Sequence, residues 1–179
     1  KKMVVGKKEK EKIIDFLKSG GVCVLPTDTV YGLHCLASNK KGIEKIHLLK
    51  KEEKDKPLIN LISDKKDVSG FGIKVGESEK IIIDKYWPGP NTIIFGKNDG
   101  STVSFRVPAD KFLIEIIKRT GPLVSTSANI HGYPPAKNVD EAIEYFGDEI
   151  DLYVDGGNLG NPPSSIYKIE DDGGFTKIR

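Results

Sequence analysis

Residues 92–107 read TIIFGKNDGSTVSFRV and decide the class of fold. Two runs rich in β-branched and aromatic residues flank a polar, glycine-containing segment, which is typical of two strands joined by a turn. Elsewhere in the chain, strand-like and helix-like segments alternate, and such alternation favours an α/β domain. The two consecutive strands at 92–107 interrupt this alternation of strands and helices. The sequence therefore predicts a twisted mixed sheet with flanking helices, not a purely parallel sheet.

The other elements follow from apolar periodicity on both sides of this hairpin. Helical spacing predicts helices over 8–18, 40–50, 77–86, 110–119 and 139–146. Short apolar runs predict strands over 22–25, 58–62, 92–95, 102–107, 123–125, 152–154 and 165–169. Asp110 and Asn138 are expected N-caps, and Gly147 is an expected helix end.

Composition sets the outer limits. A chain of 179 residues with a net charge of +2 fits one domain over residues 1–179 that buries its own core. Cys23 and Cys35 form no CxxC pair, so we expect a reduced, metal-free Cys23 in the core. No apolar run approaches the ~20 residues of a membrane span, and the N-terminus has no signal-peptide apolar region. We therefore expect a cytoplasmic protein with no membrane contact.

The common motifs for nucleotide binding, zinc binding and covalent catalysis are missing. The sequence has no GxxxxGK[ST], GxGxxG, HExxH or GxSxG motif, and its three histidines are scattered. We infer that the chemistry needs no covalent nucleophile from the protein, and the sequence assigns no metal ligands.

Polar loops at strand ends are the candidate site. Thr27, Asp28 and Thr29 follow one strand, and residues 125–129 (STSAN) follow another, where α/β sheets usually bind ligands. Both segments are equally explained as turns capped by their own side chains. Arg106 lies on a strand face, and its partner is either a protein carboxylate or a ligand carboxylate. The lysine-rich run at 50–56 fits an anionic ligand or, more simply, a solvated helix end.

Taken together, these segments resemble the YrdC family of threonylcarbamoyl-AMP synthases. The resemblance runs from about Gly21 to Arg179. It is carried by PTDTVYGL (26–33), LKKEEKDKPL (49–58), WPGPNT (87–92), VSFRVP (103–108), STSANIHGYPPAK (125–137) and DGG…SSI (155–166). The first and fifth motifs in one chain are the specific part of the match.

The resemblance implies an open, concave, basic cavity, lined by residues 27–33, 104–106 and 125–129. It implies that L-threonine, bicarbonate and ATP, with Mg²⁺ accompanying the nucleotide, give threonylcarbamoyl-AMP and pyrophosphate. The product would feed tRNA-modification machinery, with at most weak direct contact to tRNA. Positioning and charge neutralisation dominate such chemistry, which suits lysines, an arginine and small hydroxyls.

The resemblance also assigns residues. The expected threonine contacts are Thr29, Arg106, Ser127 and Ser164, with Arg106 as a bidentate partner of the amino-acid carboxylate. The expected nucleotide contacts are Lys50, Lys56, Thr102, Asn129 and Arg179.

One departure concerns Glu52, which stands where the family usually has an arginine near the phosphates. A carboxylate facing a triphosphate would be repulsive. We therefore expect Glu52 to face solvent, paired with Lys56 or another lysine, so that Glu52→Arg is nearly silent. Either Lys51 or Lys54 is expected to replace the missing arginine, and Lys137 is expected to restore part of the positive charge.

Two alternatives remain open. One is an enzyme that forms a carbamoyl-adenylate from carbamoyl phosphate, as in hydrogenase-maturation proteins, but those carry zinc-finger and acylphosphatase segments that this sequence lacks. The other is a non-catalytic RNA-binding module. A net charge of +2 and the absence of an RNA motif give that alternative little support.

Overall fold

The computed structural model describes residues 1–53 and 56–179. The five predicted helices are confirmed within a residue or two, as α1 (Lys10–Lys18), α2 (Lys40–Lys50), α3 (Glu77–Tyr86), α4 (Lys111–Thr120) and α5 (Val139–Phe146). Asp110 and Asn138 cap α4 and α5 as expected, because their side chains accept hydrogen bonds from backbone N–H groups three residues on. Gly147 ends α5.

All seven predicted strands are present, and three more join them. They are β1 (Met3–Gly6), β2 (Cys23–Leu25), β3 (Gly32–Leu36), β4 (Ile59–Leu61), β5 (Asn91–Gly96), β6 (Thr102–Arg106), β7 (Leu123–Ser127), β8 (Leu152–Asp155), β9 (Ser165–Ile169) and β10 (Phe175–Lys177). The sequence did not predict β1, β3 or β10. Two short 3-10 helices, Lys65–Phe71 and Gly147–Glu149, complete the described elements.

The strands form one mixed sheet in the order β1-β8-β2-β3-β7-β4-β6-β5-β9-β10. Residues 92–107 form the predicted antiparallel hairpin, β5 with β6. The pairs β1–β8, β2–β8, β4–β6 and β5–β9 are parallel, and the other neighbours are antiparallel. The predicted mixed sheet is therefore confirmed.

The two faces of the sheet are covered unequally. On one face, α2 and α5 pack over Leu33 and Val124, and α3 packs over Ile93 and Phe105. On the other face, α1 and α4 pack over a core that includes Cys23 and other residues of β2, β4, β7 and β8. The rest of that second face lies open and forms the floor of a cavity. Within the described residues, no helix is long and apolar enough to cross a membrane.

Candidate active site

The cavity measures about 400 Å³ and lies on the second face of the sheet. Successive side chains of a strand point to opposite faces, so alternate residues of each strand reach the floor. The floor residues are Gly32, Ile59, Leu61, Thr92, Ile94, Ser104, Arg106, Ser125, Ser127 and Ile166. The residues between them, such as Ile93 and Phe105, belong to the opposite core. The predicted lining by the 27–33, 104–106 and 125–129 segments is confirmed.

The charge of the lining is mostly positive. The lining cations are Lys50, Lys56, Arg106 and Arg179, and Glu52 is a carboxylate among the described lining residues. A cavity of this size and polarity fits a small anionic ligand.

We call the group Asp28, Thr29 and Arg106 the arginine end of the cavity. Arg106 is only 3% exposed, and its Nη1 lies 2.5 Å from Asp28 Oδ1. Its Nη2 lies 3.4 Å from Thr29 Oγ1, and Asp28 Oδ2 accepts a hydrogen bond from the backbone of Ala109 at 3.0 Å. The partner of Arg106 in this structure is thus a protein carboxylate. A guanidinium has five N–H donors, so donors remain for a ligand.

The turn that carries Thr29 is built by its own hydroxyls. Thr27 Oγ1 accepts a hydrogen bond from the Thr29 backbone at 3.0 Å and donates to Val30 O at 2.6 Å. Both threonine side chains are buried and both line the cavity. The turn-capping interpretation is therefore correct, and it coexists with a place in the site.

Ser164 and Arg179 close the cavity on the side of β5 and β9. Ser164 Oγ lies 2.9 Å from Thr92 Oγ1. Arg179 donates from Nε and Nη2 to Ser164 O, at 3.1 and 2.7 Å. The two residues that the sequence assigned to different substrates are thus direct neighbours.

We call the group Lys50, Ser127 and Asn129 the lysine end. The Lys50 ammonium lies 2.6 Å from Ser127 O, 3.4 Å from Ser127 Oγ and 2.9 Å from Asn129 Oδ1. Ser127 Oγ in turn donates to Asn129 Oδ1 at 2.6 Å. Lys50 is 3% exposed, and this burial lowers the pKa of its ammonium to about 8, although Glu52 opposes the shift.

The expectation that Glu52 faces solvent is wrong. Its side chain is only 2% exposed and lines the cavity beside Lys50. The expected partner is correct, because Oε2 accepts a hydrogen bond from Lys56 at 3.2 Å. Oε1 lies 3.7 Å from His47 Nδ1, and neither of these two atoms has a hydrogen-bond partner among the described residues.

The orientation of Glu52 has a local cause. Lys51, which follows α2, is left-handed with a φ of 54°, so the chain turns back on the helix. The Glu52 N–H then reaches His47 O at 3.4 Å, and the Glu52 side chain packs inward beside His47.

Two of the predicted nucleotide contacts stand apart from the cavity. Thr102 and Lys137 are exposed and are not among its lining residues. Lys54 lies outside the described residues. The cavity brings together the other predicted residues: Thr29, Lys50, Lys56, Arg106, Ser127, Asn129, Ser164 and Arg179.

The sequence assigned no role to Thr92, Ser104 or Ser125, although the last two lie in segments predicted to line the cavity, and all three lie on the floor. A sequence signal was available for two of them. Ser104 stands two residues from Arg106, and Ser125 stands two residues from Ser127, so strand alternation puts each on the same face as a selected residue.

Several known proteins are similar to this chain in sequence. The model of the Sua5/YciO/YrdC family, described as "Telomere recombination", matches residues 15–179. A Methanocaldococcus jannaschii protein, provisionally named a threonylcarbamoyl-AMP synthase, is 34% identical over 94% of this chain and 86% of its own. The threonylcarbamoyl-AMP synthase of Pseudoalteromonas atlantica is 33% identical over 86% of this chain and 88% of its own.

A solved structure shares the fold. P. abyssi Sua5, crystallised with L-threonine, superposes with a TM-score of 0.89 at 24% identity and covers 99% of this chain. The chain spans 57% of the length of that protein. At this level of identity the superposition speaks for the fold alone.

Proposed function

Since this chain belongs to the Sua5/YciO/YrdC family, we propose that it makes L-threonylcarbamoyl-AMP from L-threonine, bicarbonate and ATP and releases pyrophosphate. One observation carries the proposal. A single cavity has a buried arginine at one end and a buried lysine held by a Ser-x-Asn loop at the other. Such a pair of cations can hold an amino-acid carboxylate and a polyphosphate at the same time.

The reaction joins three substrates in two steps. The threonine nitrogen forms a bond to the bicarbonate carbon, and water leaves, which gives a carbamate. A carbamate oxygen then attacks the α-phosphorus of ATP and displaces pyrophosphate. No protein atom needs to form a covalent bond, so holding the reactants close and neutralising phosphate charge are the main contributions of the protein.

The lining residues divide between the substrates by charge and position. Thr29, Arg106 and Ser164 are proposed to hold threonine, with the free donors of Arg106 on its carboxylate. Lys50, Lys56, Asn129 and Arg179 are proposed to hold the nucleotide. Ser127 lies at the lysine end, against the Lys50 ammonium, and is proposed to contact threonine from there. Thr102, Lys54 and Lys137 stay predictions from the sequence.

Mg²⁺ is proposed to enter with ATP, as part of the substrate. Magnesium bound to nucleotides keeps several waters and relies largely on the phosphate oxygens. We assign it no ligand from the protein.

The product is a mixed anhydride of a carbamic acid and a phosphate, which water destroys. We propose that tRNA-modification machinery consumes it promptly to threonylcarbamoylate an adenosine in tRNA, and that both act in the cytoplasm.

Mass spectrometry tests this function. The chain is incubated with ¹³C-bicarbonate, L-threonine, ATP and Mg²⁺, and we expect an adduct carrying threonine, AMP and one ¹³C, with equimolar pyrophosphate. Omitting any one substrate should abolish it. A parallel reaction with carbamoyl phosphate in place of bicarbonate and threonine tests the maturation-type activity. The proposal fails if only that reaction gives an adenylate, or if the chain binds tRNA but forms no adenylate.

A further inference from the structure

One polar pair on the cavity floor has no role in the function proposed above. Ser125 lines the cavity, and its Oγ lies 2.9 Å from Nε2 of His34. The two residues face each other across the antiparallel strands β3 and β7. His34 itself is 0% exposed and is not among the residues that line the cavity.

The imidazole of His34 is fixed in both charge and position. Burial lowers the pKa of His34 to about 3, so the ring is neutral at physiological pH. Its ring lies against Gly32, where an added Cβ would come within 2.7 Å of the His34 Cε1 atom. A side chain at residue 32 would therefore collide with the ring, so the ring packs closely against the Gly32 backbone.

The direction of the hydrogen bond follows from the other ring nitrogen. His34 Nδ1 is buried and has no hydrogen-bond partner among the described residues. We assign the proton to Nε2, because a buried N–H without an acceptor is rarer than an acceptor without a donor. Nε2 then donates to Ser125 Oγ. The hydroxyl hydrogen of Ser125 is left free to point into the cavity.

Register places this hydroxyl in the middle of the floor. Ser125 stands two residues from Ser127, which contacts the Lys50 ammonium. In the other direction, Ile59 of β4 pairs with both Ser125 and Ser104, so one strand separates Ser125 from the strand that bears Arg106. Ser125 is thus located between the lysine end and the arginine end.

We propose that Ser125 is a substrate-binding residue for the carbonate group, and that His34 is the positioning residue that orients its hydroxyl. This inference rests on the proposed function. The carbonate is the substrate that must touch both the threonine nitrogen and the α-phosphate, so its place is between the two ends. There it is an oxyanion that accepts the free hydroxyl hydrogen of Ser125.

Steady-state kinetics with each substrate varied in turn tests the inference. We expect Ser125→Ala to raise the KM for bicarbonate by about tenfold, the usual effect of one lost hydrogen bond to a charged group. The KM values for threonine and ATP should stay within about twofold of wild type. Ser125→Thr keeps the hydroxyl and should retain the wild-type bicarbonate KM. The comparator is Ser104→Ala, because Ser104 is also a floor serine and is equally buried, at 8% exposure for both.

The role of His34 has its own readout. His34→Leu removes the Nε2 donor and should raise the bicarbonate KM by about threefold. His34→Gln keeps an amide N–H, so its bicarbonate KM should lie close to the wild-type value. In the double variant His34→Leu/Ser125→Ala, the effect should equal that of Ser125→Ala alone, because His34 acts through Ser125. If His34 were purely structural, its substitution would instead lower the melting temperature, and the bicarbonate KM would not depend on whether Ser125 is present. Should Ser125→Ala fail to fold, the two His34 variants carry the test.

The outcomes separate the two proposals. If wild type forms no labelled adenylate, the proposed function fails. If wild type is active and Ser125→Ala has an unchanged bicarbonate KM, only this inference fails. It also fails if Ser104→Ala has the same effect as Ser125→Ala, or if threonine and ATP KM values rise together with that of bicarbonate.

Discussion

The two ends of the cavity hold their cations in different ways. At the arginine end, Arg106 is paired with the carboxylate of Asp28, and the pair is nearly inaccessible, with side chains 4% and 12% exposed. At the lysine end, the Lys50 ammonium is held mainly by neutral oxygens of Ser127 and Asn129. An arginine stays charged in either setting, whereas a buried lysine can lose its proton. The charge of one end is therefore permanent, and that of the other depends on pH and on the ligand.

The largest effect is expected from Arg106→Ala. Loss of the guanidinium should lower kcat/KM for threonine by roughly 100-fold, because a charge-assisted contact is worth about 2–4 kcal/mol. It also leaves Asp28 unpaired, which should lower the free energy of unfolding by about 3–5 kcal/mol. Arg106→Lys should recover little threonine activity, because an ammonium lacks the planar fork.

The control for Arg106 is Arg119→Ala. Arg119 forms an exposed ion pair with Glu11, away from the cavity, and its loss should change stability by about 0–1 kcal/mol. If folded Arg106→Ala had the wild-type KM for threonine, Arg106 would be a structural residue. The arginine end would then not bind threonine, which would contradict the comparison of the two ends.

Lys50→Ala should have the next largest effect. We expect the KM for ATP to rise by about 10- to 100-fold, because charged hydrogen bonds are worth about 1.5–3 kcal/mol. Lys41→Ala, an exposed position at the start of the same helix, is the control and should be silent. An unchanged ATP KM would mean that Lys50 only anchors the loop at 127–129.

The pH dependence of ATP binding sharpens the comparison. Burial lowers the pKa of Lys50 from 10.5 to about 8, so the ammonium loses its proton as the pH rises through that value. The KM for ATP should then rise by about tenfold per pH unit above pH 8. In Lys50→Arg this alkaline rise should disappear, because a guanidinium stays protonated. If the ATP KM of wild type did not change between pH 7 and 9.5, the charge of Lys50 would not depend on pH in this range, which would contradict the prediction.

The same shift has the opposite sign for stability. Between pH 8 and 10.5 the unfolded chain binds a proton at Lys50 that the folded chain has lost. The contribution of Lys50 to the free energy of unfolding therefore increases as the pH rises through that window. Urea unfolding of wild type and Lys50→Met at pH 7.5 and 10 measures it, and the free energy of unfolding of wild type should increase relative to that of Lys50→Met at the higher pH.

The smallest effect is expected from Glu52→Gln. The buried carboxylate lies in the lining with Lys50 and Lys56, where it opposes a bound triphosphate. Replacing it with the neutral isostere should lower the KM for ATP by about threefold to tenfold after screening. Glu53→Gln, its exposed neighbour, is the control. A weaker ATP interaction in Glu52→Gln would show that the carboxylate assists the nucleotide.

Much of the fold was predictable because local patterns and tertiary packing agree. Helices α3 and α5 coincide with their predicted ranges. The predicted lining by the 104–106 segment is also correct, because Ser104 and Arg106 both line the cavity. The sequence did not predict β3 (GLHCL), because a glycine and a histidine are unusual in a buried strand. In the structure, Ser125 forms a hydrogen bond with His34 and Gly32 leaves room for the ring.

The position of Glu52 could not be predicted for a different reason. It depends on a left-handed backbone at Lys51, and a residue other than glycine adopts that conformation in only a few per cent of cases. Position 51 is a lysine, not a glycine or asparagine, so the sequence does not indicate a left-handed turn there. The pairing of Arg106 with Asp28 was an open alternative, and only the tertiary structure could decide it.

The alternation of floor and core along each strand also constrains how this protein can change over evolution or in a designed library. In β6, Ser104 and Arg106 face the cavity, whereas Phe105 faces a core. Substitution at the even positions can therefore explore new ligands while the core keeps its packing. Deletion or insertion of one residue would exchange the two sets and put a phenylalanine where the ligand belongs. We therefore expect substitutions at the cavity-facing positions of such strands to be tolerated more often than insertions or deletions of single residues.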